Sequence, residues 1–228
     1  MPADYALVVT CEKLADNEAE SRARLWNRLR GLLPTDGVSR IELFSPHPDY
    51  EDVPFFKDGS PPAALVEFVA DSPETLKRLA VSAGFAACFA GASSGVTWSA
   101  GYFRIVRQPV GADLQARPRE AQTSFVVRYY PPVEDAARFA AHYVANHPPI
   151  LARLPEIRNV LCYVPLDGAV PGCTRDQTVI RNEVVFGSVA SLVDSLRSPV
   201  LAELRADTRT FPPFGHSTHH AMVRTPLA

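Results

Sequence analysis

The sequence predicts an α+β protein made of two tandem ferredoxin-like β-α-β-β-α-β units, whose antiparallel sheets face each other as an intrachain barrel. Three observations predict this fold class. The same order of strand-like and helix-like segments occurs twice along the 228 residues, which indicates an internal repeat. Each unit of this kind places both helices on one face of its sheet. The strands are apolar on both faces, so the face without helices needs a second sheet to cover it.

The first unit spans residues 1–108, and its segments alternate between apolar strands and amphipathic helices. One helix follows the first strand and ends at Leu33-Pro34. A second helix is predicted to begin at SPET (72–75), because this segment offers an N-cap serine followed by an early proline and an acidic residue. The four predicted strands are DYALVVT (4–10), VSRIELF (38–44), ALVEFVA (64–70) and VTWSAGYFRIV (96–106).

The second unit spans residues 123–228 and repeats this order after a polar linker at 109–122. The Leu-Pro pair that ends the first helix recurs 121 residues later, at Leu154-Pro155. Helices are predicted over 134–153 and 189–207, and the second and third strands of the unit lie between them in sequence. The four predicted strands are TSFVVRYY (123–130), NVLCYVP (159–165), NEVVFGS (182–188) and the segment at 216–225.

Composition limits the classes of partner. The chain has 23 Lys and Arg against 25 Asp and Glu, a net charge of −2, which argues against the clustered cations of a nucleic-acid protein. No apolar run approaches the roughly 20 residues that cross a bilayer, and the start MPADYALVVTCEK lacks the features of a secretory signal. We therefore expect no nucleic-acid or membrane partner, a cytoplasmic location and four unpaired cysteines.

One stretch of the second half carries a family resemblance. Residues 128–165 combine a strand, a short proline loop, an acidic helix start, His147-Pro148 and Leu154-Pro155. The segment SPVLAELRADTRTF at 198–211 adds a helix of small apolar residues with an aspartate before the last strand. This half resembles the EthD family of the dimeric α+β barrel superfamily. The resemblance implies proton-transfer chemistry on a small organic molecule without a cofactor, and the first half would be a degenerate copy.

His147 is the predicted catalytic residue. It falls beside the apolar stripe of its helix, so it is expected to point inward. The two prolines that follow it are expected to kink the helix or to stop it near Asn146, which would hold the imidazole at a hollow between the sheets. A histidine there can accept and donate a proton near neutral pH, although a histidine that caps the broken helix would look the same. The stripe consists of Phe139, Tyr143, Ile150 and Leu154.

Several further side chains are candidates for the same cavity. Tyr163 is expected to face it as a second catalytic group and Cys162 to face away, because neighbouring side chains of a strand alternate. Tyr129 and Tyr130 alternate in the same way, so one of them is expected to reach the substrate. The remaining predicted substrate-binding residues are Trp26, which takes the place of His147 in the first half, Phe186, His216 and His220.

The run HSTHH at 216–220 cannot hold a metal by itself, because His216 and His220 would lie about 13 Å apart on a strand. We therefore predict no metal ligands, and the family resemblance implies that no cofactor is needed. The aromatic loops VPFF (53–56) and FPPF (211–214) are either lids over an apolar ligand or small packing clusters.

These observations favour a cofactor-independent isomerase, cyclase or lyase that acts on a small aromatic, lactone or polyketide-like molecule. Two alternatives stay open. One is a non-catalytic protein of the same fold, either a small-ligand binder or a stress-type accessory protein. The other, ranked lower, is a haem or metal binder. The partner would be a small molecule, and the chain would be a monomer, as an intrachain pseudo-dimer, or a homodimer.

Overall fold

A computed structural model describes residues 4–14, 17–33, 35–49, 53, 58–89, 96–111 and 123–227. Within these residues the chain forms nine strands and six helices. The strands are β1 (Asp4–Cys11), β2 (Val38–Pro46), β3 (Ala64–Ala70), β4 (Trp98–Gln108), β5 (Thr123–Tyr130), β6 (Asn159–Leu166), β7 (Thr174–Arg175), β8 (Ile180–Phe186) and β9 (His216–Pro226). The helices are α1 (Glu18–Gly31), α2 (Pro73–Ala80), α3 (Ala83–Phe89), α4 (Ala136–Leu151), α5 (Val189–Ser195) and α6 (Val200–Thr208).

Eight of the strands close into one antiparallel barrel, in the order β1-β3-β2-β9-β5-β8-β6-β4, with β4 pairing back onto β1. The short strand β7 adds to the edge of β4 in parallel. Hydrogen bonds between β2 and β9, and between β4 and β6, join the two halves of the chain. The predicted barrel is therefore confirmed as a closed barrel in a mixed α/β protein. Its two halves are joined strand to strand.

The helices lie outside the barrel and pack on its outer face in two groups. In the second half, Phe139 and Tyr143 of α4 pack with outward-facing strand residues such as Phe125. A matching cluster in the first half includes Leu25 and Phe68. A third cluster fills the barrel interior with residues from both halves, among them Phe44, Phe103, Tyr163 and Met222.

The barrel interior is solid and carries a buried ionic network. Arg224 Nε lies 3.2 Å from Glu42 Oε2, and its Nη2 lies 3.1 Å from Glu183 Oε2. Arg40 makes a 2.7 Å contact from Nη2 to Glu67 Oε1. The cavity that remains here holds about 20 Å³, room for about one water. The prediction of a hollow between the sheets is therefore wrong, because the interior of an eight-stranded barrel is just wide enough for its own side chains.

Prolines explain two differences from the predicted helices. α4 continues through Pro148 and Pro149 to Leu151, so the predicted interruption near Asn146 is wrong. The two prolines remove only two backbone donors. The residue that caps the helix, Ala152, still donates a 2.9 Å hydrogen bond from its N to Pro148 O. The helix predicted over 189–207 is instead divided into α5 and α6, with Pro199 between them as the N-cap of α6. None of the helices in the described ranges has the length and apolar character to cross a membrane.

Candidate active site

A pocket of about 350 Å³ lies between α4, α6 and the outer face of the barrel wall. Its walls are mostly apolar, and a few polar groups converge on it, which is the usual make-up of a small-molecule site. His147 lines this pocket. It does not project into the barrel interior, as the sequence suggested, because α4 packs on the outer face of the sheet. The apolar lining comes from Phe125, Val127, Tyr129, Leu151, Leu154, Val184, Leu196, Leu201 and Leu204, and the polar lining from His147, Asn182, Arg205, Thr208, Arg209, Ser217 and His219.

His147 and Asp207 form a buried pair at one wall of the pocket. His147 Nδ1 lies 2.8 Å from Asp207 Oδ2, and the two side chains are 8% and 11% exposed. A carboxylate at Nδ1 accepts the Nδ1–H and leaves Nε2 of the neutral ring without a proton. Burial lowers the pKa of His147, an effect that the hydrogen bond to Asp207 partly offsets. The ring is therefore neutral near pH 7, with Nε2 able to accept a proton.

Aromatic rings hold this imidazole in place. Its centroid lies 5.0 Å from the ring of Tyr143, one helical turn earlier, and 5.2 Å from the ring of Phe211. Phe211 also packs against Tyr129 and Phe139, so the FPPF loop forms part of the packed wall. Residues 54–57, most of the VPFF loop, lie outside the described residues. The aromatic wall restricts the side-chain rotamers of His147 and excludes water from one side of it.

A second histidine–aspartate pair joins the two halves of the chain at the same pocket, with His219 from β9 of the second half and Asp58 from the first half. His219 Nδ1 lies 2.6 Å from Asp58 Oδ2, and His219 also lines the pocket. The sequence reasoning missed His219, because attention fell on His216 and His220 of the same run. The alternation of strand side chains was the pattern that could have found it, since His219 faces the same side as Ser217 and Ala221.

Asn182 is the buried polar group in the strand wall of the pocket. It belongs to β8, is 2% exposed and lines the pocket together with Val184. Its side-chain carbonyl Oδ1 has no hydrogen-bond partner in the part of the chain that the structure describes. A buried carbonyl oxygen without a partner costs free energy, so Oδ1 is suited to accept a hydrogen bond from a donor group of a ligand.

The structure brings only some of the predicted residues together. Tyr129 lines the pocket beside His147. Tyr163 lies on the other face of the sheet, in the barrel interior, where its Oη is 2.8 Å from Glu67 Oε2 and 2.9 Å from Glu183 Oε2. Burial raises the pKa of Tyr163 well above its ordinary value. Cys162, expected to face away, is the neighbour on the helix side and packs there in the apolar cluster.

The other predicted substrate-binding residues lie away from the pocket. Trp26, a residue of α1, packs against the apolar cluster of the first half. Phe186 is buried in the cluster beneath the helices of the second half. Tyr130 stacks on His216, with their centroids 4.7 Å apart. His220 points to the inner side of the barrel wall, where burial and the charge of Arg128 lower its pKa to about 4. In the described part of the chain, no three His, Cys, Asp or Glu side chains are grouped as metal ligands.

No protein-family model matches the chain, and neither does any curated protein. Solved structures do match over nearly its whole length. A proposed monooxygenase from Lactobacillus acidophilus NCFM superposes with a TM-score of 0.59 at 8% identity, covering 98% of this chain and 95% of that one. An anthrone oxidase-like protein gives a TM-score of 0.58 at 11% identity, covering 100% and 94% of the two chains. The chain has the fold of the dimeric α+β barrel proteins.

Two further solved structures bear on the predicted barrel fold and on the predicted EthD resemblance. A chlorite dismutase variant from Candidatus Nitrospira defluvii gives a TM-score of 0.55 at 13% identity, covering 98% of this chain and 91% of that one. An EthD-family protein from Bacillus halodurans covers 44% of this chain and 95% of its own length, at 20% identity and a TM-score of 0.37. That score carries no argument for the EthD family, so the likenesses support the barrel fold, and the EthD assignment stays a prediction.

Proposed function

We propose that this protein is a cofactor-independent enzyme that moves a proton on a small, largely apolar molecule, with His147 as the general base. The observation that carries the proposal is the buried His147–Asp207 pair at the wall of an apolar pocket. Like the folds of the similar solved structures, this barrel is suited to a small-molecule enzyme or binder. The site itself, rather than the fold, supports the chemistry.

The proposed step follows from the protonation states of the pair. Nε2 of neutral His147 takes a proton from a carbon next to a carbonyl group of the substrate. The electron pair of the broken C–H bond moves into the carbonyl, which becomes an enolate oxygen. Asp207 keeps Nδ1 oriented and stabilises the imidazolium that forms. The proton then returns from Nε2 to a different atom, which gives an isomer, or stays while a leaving group departs.

The N–H groups of Asn182 Nδ2 are proposed to donate to the oxygen that becomes negative, since the carbonyl Oδ1 can only accept. Its amide group lies in the opposite, strand-built wall of the pocket, and it is rigid because β8 is hydrogen-bonded on both sides. A fixed donor aimed at the developing charge stabilises the transition state more than the ground state. Tyr163, on the far side of the sheet, has no part in this step.

Deuterium exchange tests the proposal even while the product is unidentified. The protein is incubated in deuterated water with a panel of lactones and phenolic ketones, and mass spectrometry measures uptake at acidic carbons. We expect exchange with at least one compound, and a loss of at least about 100-fold in His147→Ala, the usual range for a general base. His142→Ala removes a half-buried histidine from the same helix and is the matched control. A folded His147→Ala protein that exchanges at the native rate would remove the proposal.

Oxygenation is a second candidate, which the proposed monooxygenase and the anthrone oxidase-like protein among the structural likenesses favour. The same base would convert an anthrone-like CH₂ group into a carbanion. One dioxygen molecule would then oxidise this carbon to a carbonyl, with release of one water. Consumption of dioxygen in step with loss of substrate would favour this reaction over an isomerisation, which consumes none.

A tandem duplication is the proposed origin of the two halves. In each half the first strand lies between the third and the fourth, and the second strand pairs with the third. This order is that of the ferredoxin-like unit predicted from the sequence. It supports two units, with domains at 1–108 and 123–228, of which the second holds most of the proposed site.

A further inference from the structure

Two arginines at the mouth of the pocket have no role in the proton transfer. Arg205 lies in the last turn of α6, and Arg209 is the residue that caps this helix. Both line the pocket and both are exposed to solvent. Because they are four residues apart, they lie on the same side of the helix. The two guanidinium groups therefore stand together where an apolar cavity opens to water.

Neither arginine has an acidic partner among the described residues. The acids near the pocket are already bound. Asp207 contacts His147 and Asp58 contacts His219, while Glu203 of the same helix makes contacts of 2.6 and 2.7 Å with Arg153. The mouth therefore holds two guanidinium groups that no described carboxylate contacts.

We infer that the pocket takes an apolar molecule that carries a carboxylate, which Arg205 and Arg209 bind. A planar guanidinium donates two parallel hydrogen bonds to a carboxylate. A monoanion fits better than a phosphate dianion, because the C-terminal end of α6 carries a partial negative charge. The inference rests on the proposed function in one respect: the carboxylate at the mouth places the reacting carbon deeper, between His147 and Asn182.

Cations in the last turn of a helix also occur for a purely structural reason, since they interact favourably with the helix dipole. Arg30 supplies the control for this explanation. It is an exposed arginine in the last turn of α1, and it belongs to the other half of the chain, away from the pocket. A ligand effect that appears at Arg205 and Arg209 but not at Arg30 separates binding from helix stabilisation.

The test measures binding of 2-naphthoate and of its neutral isostere 2-naphthamide by calorimetry at pH 7.5. We expect the wild-type protein to bind the acid more tightly than the amide. Arg205→Gln and Arg209→Gln should each weaken binding of the acid about threefold, and the double variant about tenfold, as for solvent-screened ion pairs. Binding of the amide should stay unchanged, Arg30→Gln should alter neither affinity, and added salt should weaken only the acid.

Equal binding of the two probes would overturn the inference, as would full affinity for the acid in the double variant. Either result would leave the proposed proton transfer standing, because that is tested at His147 by exchange. Failure of both probes to bind would overturn the inference together with the pocket on which the proposed function depends. Circular dichroism of the variants checks that these exposed substitutions leave the fold intact.

Discussion

At the scale of single residues, Asp207 determines how His147 works. Burial alone lowers the pKa of the imidazole, and the hydrogen bond and charge of Asp207 raise it part of the way back. The proposed base accepts a proton when neutral, so the rate of exchange should rise with pH through the pKa of His147 and then reach a plateau. Asp207 also fixes the tautomer, which a merely nearby charge would not do.

Asp207→Asn tests this role. Without the carboxylate the pKa of His147 falls further, so the acidic limb of the pH–rate profile should move to lower pH. The plateau should fall at least about tenfold, because the imidazolium formed in the reaction loses its counter-ion. Glu203→Gln removes an acid that pairs with Arg153 on the exposed side of the same helix and should change neither feature. An unchanged profile in Asp207→Asn would show that the pair has no catalytic role.

The lowered pKa of His220 predicts that the folded protein loses stability in acid. Its pKa is lowered to about 4 in the folded protein, against about 6.5 in an unfolded chain. The neutral form therefore contributes stability above pH 6.5, which is lost as the pH falls towards 4. The free energy of unfolding of the wild-type protein should fall between pH 7.5 and 4.5. In His220→Phe this fall should be smaller by on the order of 2 kcal/mol. Urea titrations at both pH values measure this difference, with His142→Gln at a half-buried histidine as control. A loss in His220→Phe equal to that of the wild-type protein would contradict the prediction.

At the scale of elements, the position of α4 decides which predictions from the sequence succeeded. Periodicity correctly placed His147 on the buried stripe of this helix, because apolar spacing reports which face packs. It could not show what that face packs against. The alternation of strand side chains likewise separated Tyr163 from Cys162, yet which of the two lies in the barrel interior depends on the pairing of strands far apart in sequence.

The loop after α6 should contribute much of the stability around the site. Phe211 is 9% exposed and contacts the rings of Tyr129, Tyr143 and His147. Phe211→Ala should lower the free energy of unfolding by about 3 kcal/mol, the usual cost of truncating a buried aromatic ring. Phe214→Ala, at a half-buried ring of the same loop, should cost less. Urea unfolding measures both, and equal costs would contradict the proposed packing.

At the scale of the whole molecule, closure of the barrel separates two environments that the sequence could not tell apart. The interior holds ion pairs whose members come from both halves, as in Glu42 with Arg224, alongside the pair of Arg40 with Glu67. Apolar strand patterns gave no indication of these charges, because Glu42 and Glu67 each lie alone between apolar neighbours. The candidate pocket lies outside the barrel wall, where the second half supplies the helices and the first half supplies Asp58, the partner of His219.

Arg224→Met tests the importance of the interior network. The substitution leaves Glu42 and Glu183 without one of their partners in a dry interior. The free energy of unfolding should therefore fall by about 3 to 5 kcal/mol. Arg153→Met breaks an ion pair at the surface and should cost far less, because solvent screens exposed charges. Chemical denaturation of both variants gives the comparison. A cost at Arg224 no larger than that at Arg153 would show that the network is dispensable.

Nitrogen NMR of histidine-labelled protein tests the central claim most directly, since it needs no substrate. Comparison with His147→Gln assigns the signals of His147. At pH 7 we expect a neutral ring with a protonated Nδ1 and a bare Nε2, and a titration midpoint below 6.5, the ordinary value for histidine. A ring protonated at pH 7, or a neutral ring with its proton on Nε2, would contradict a general base held by Asp207.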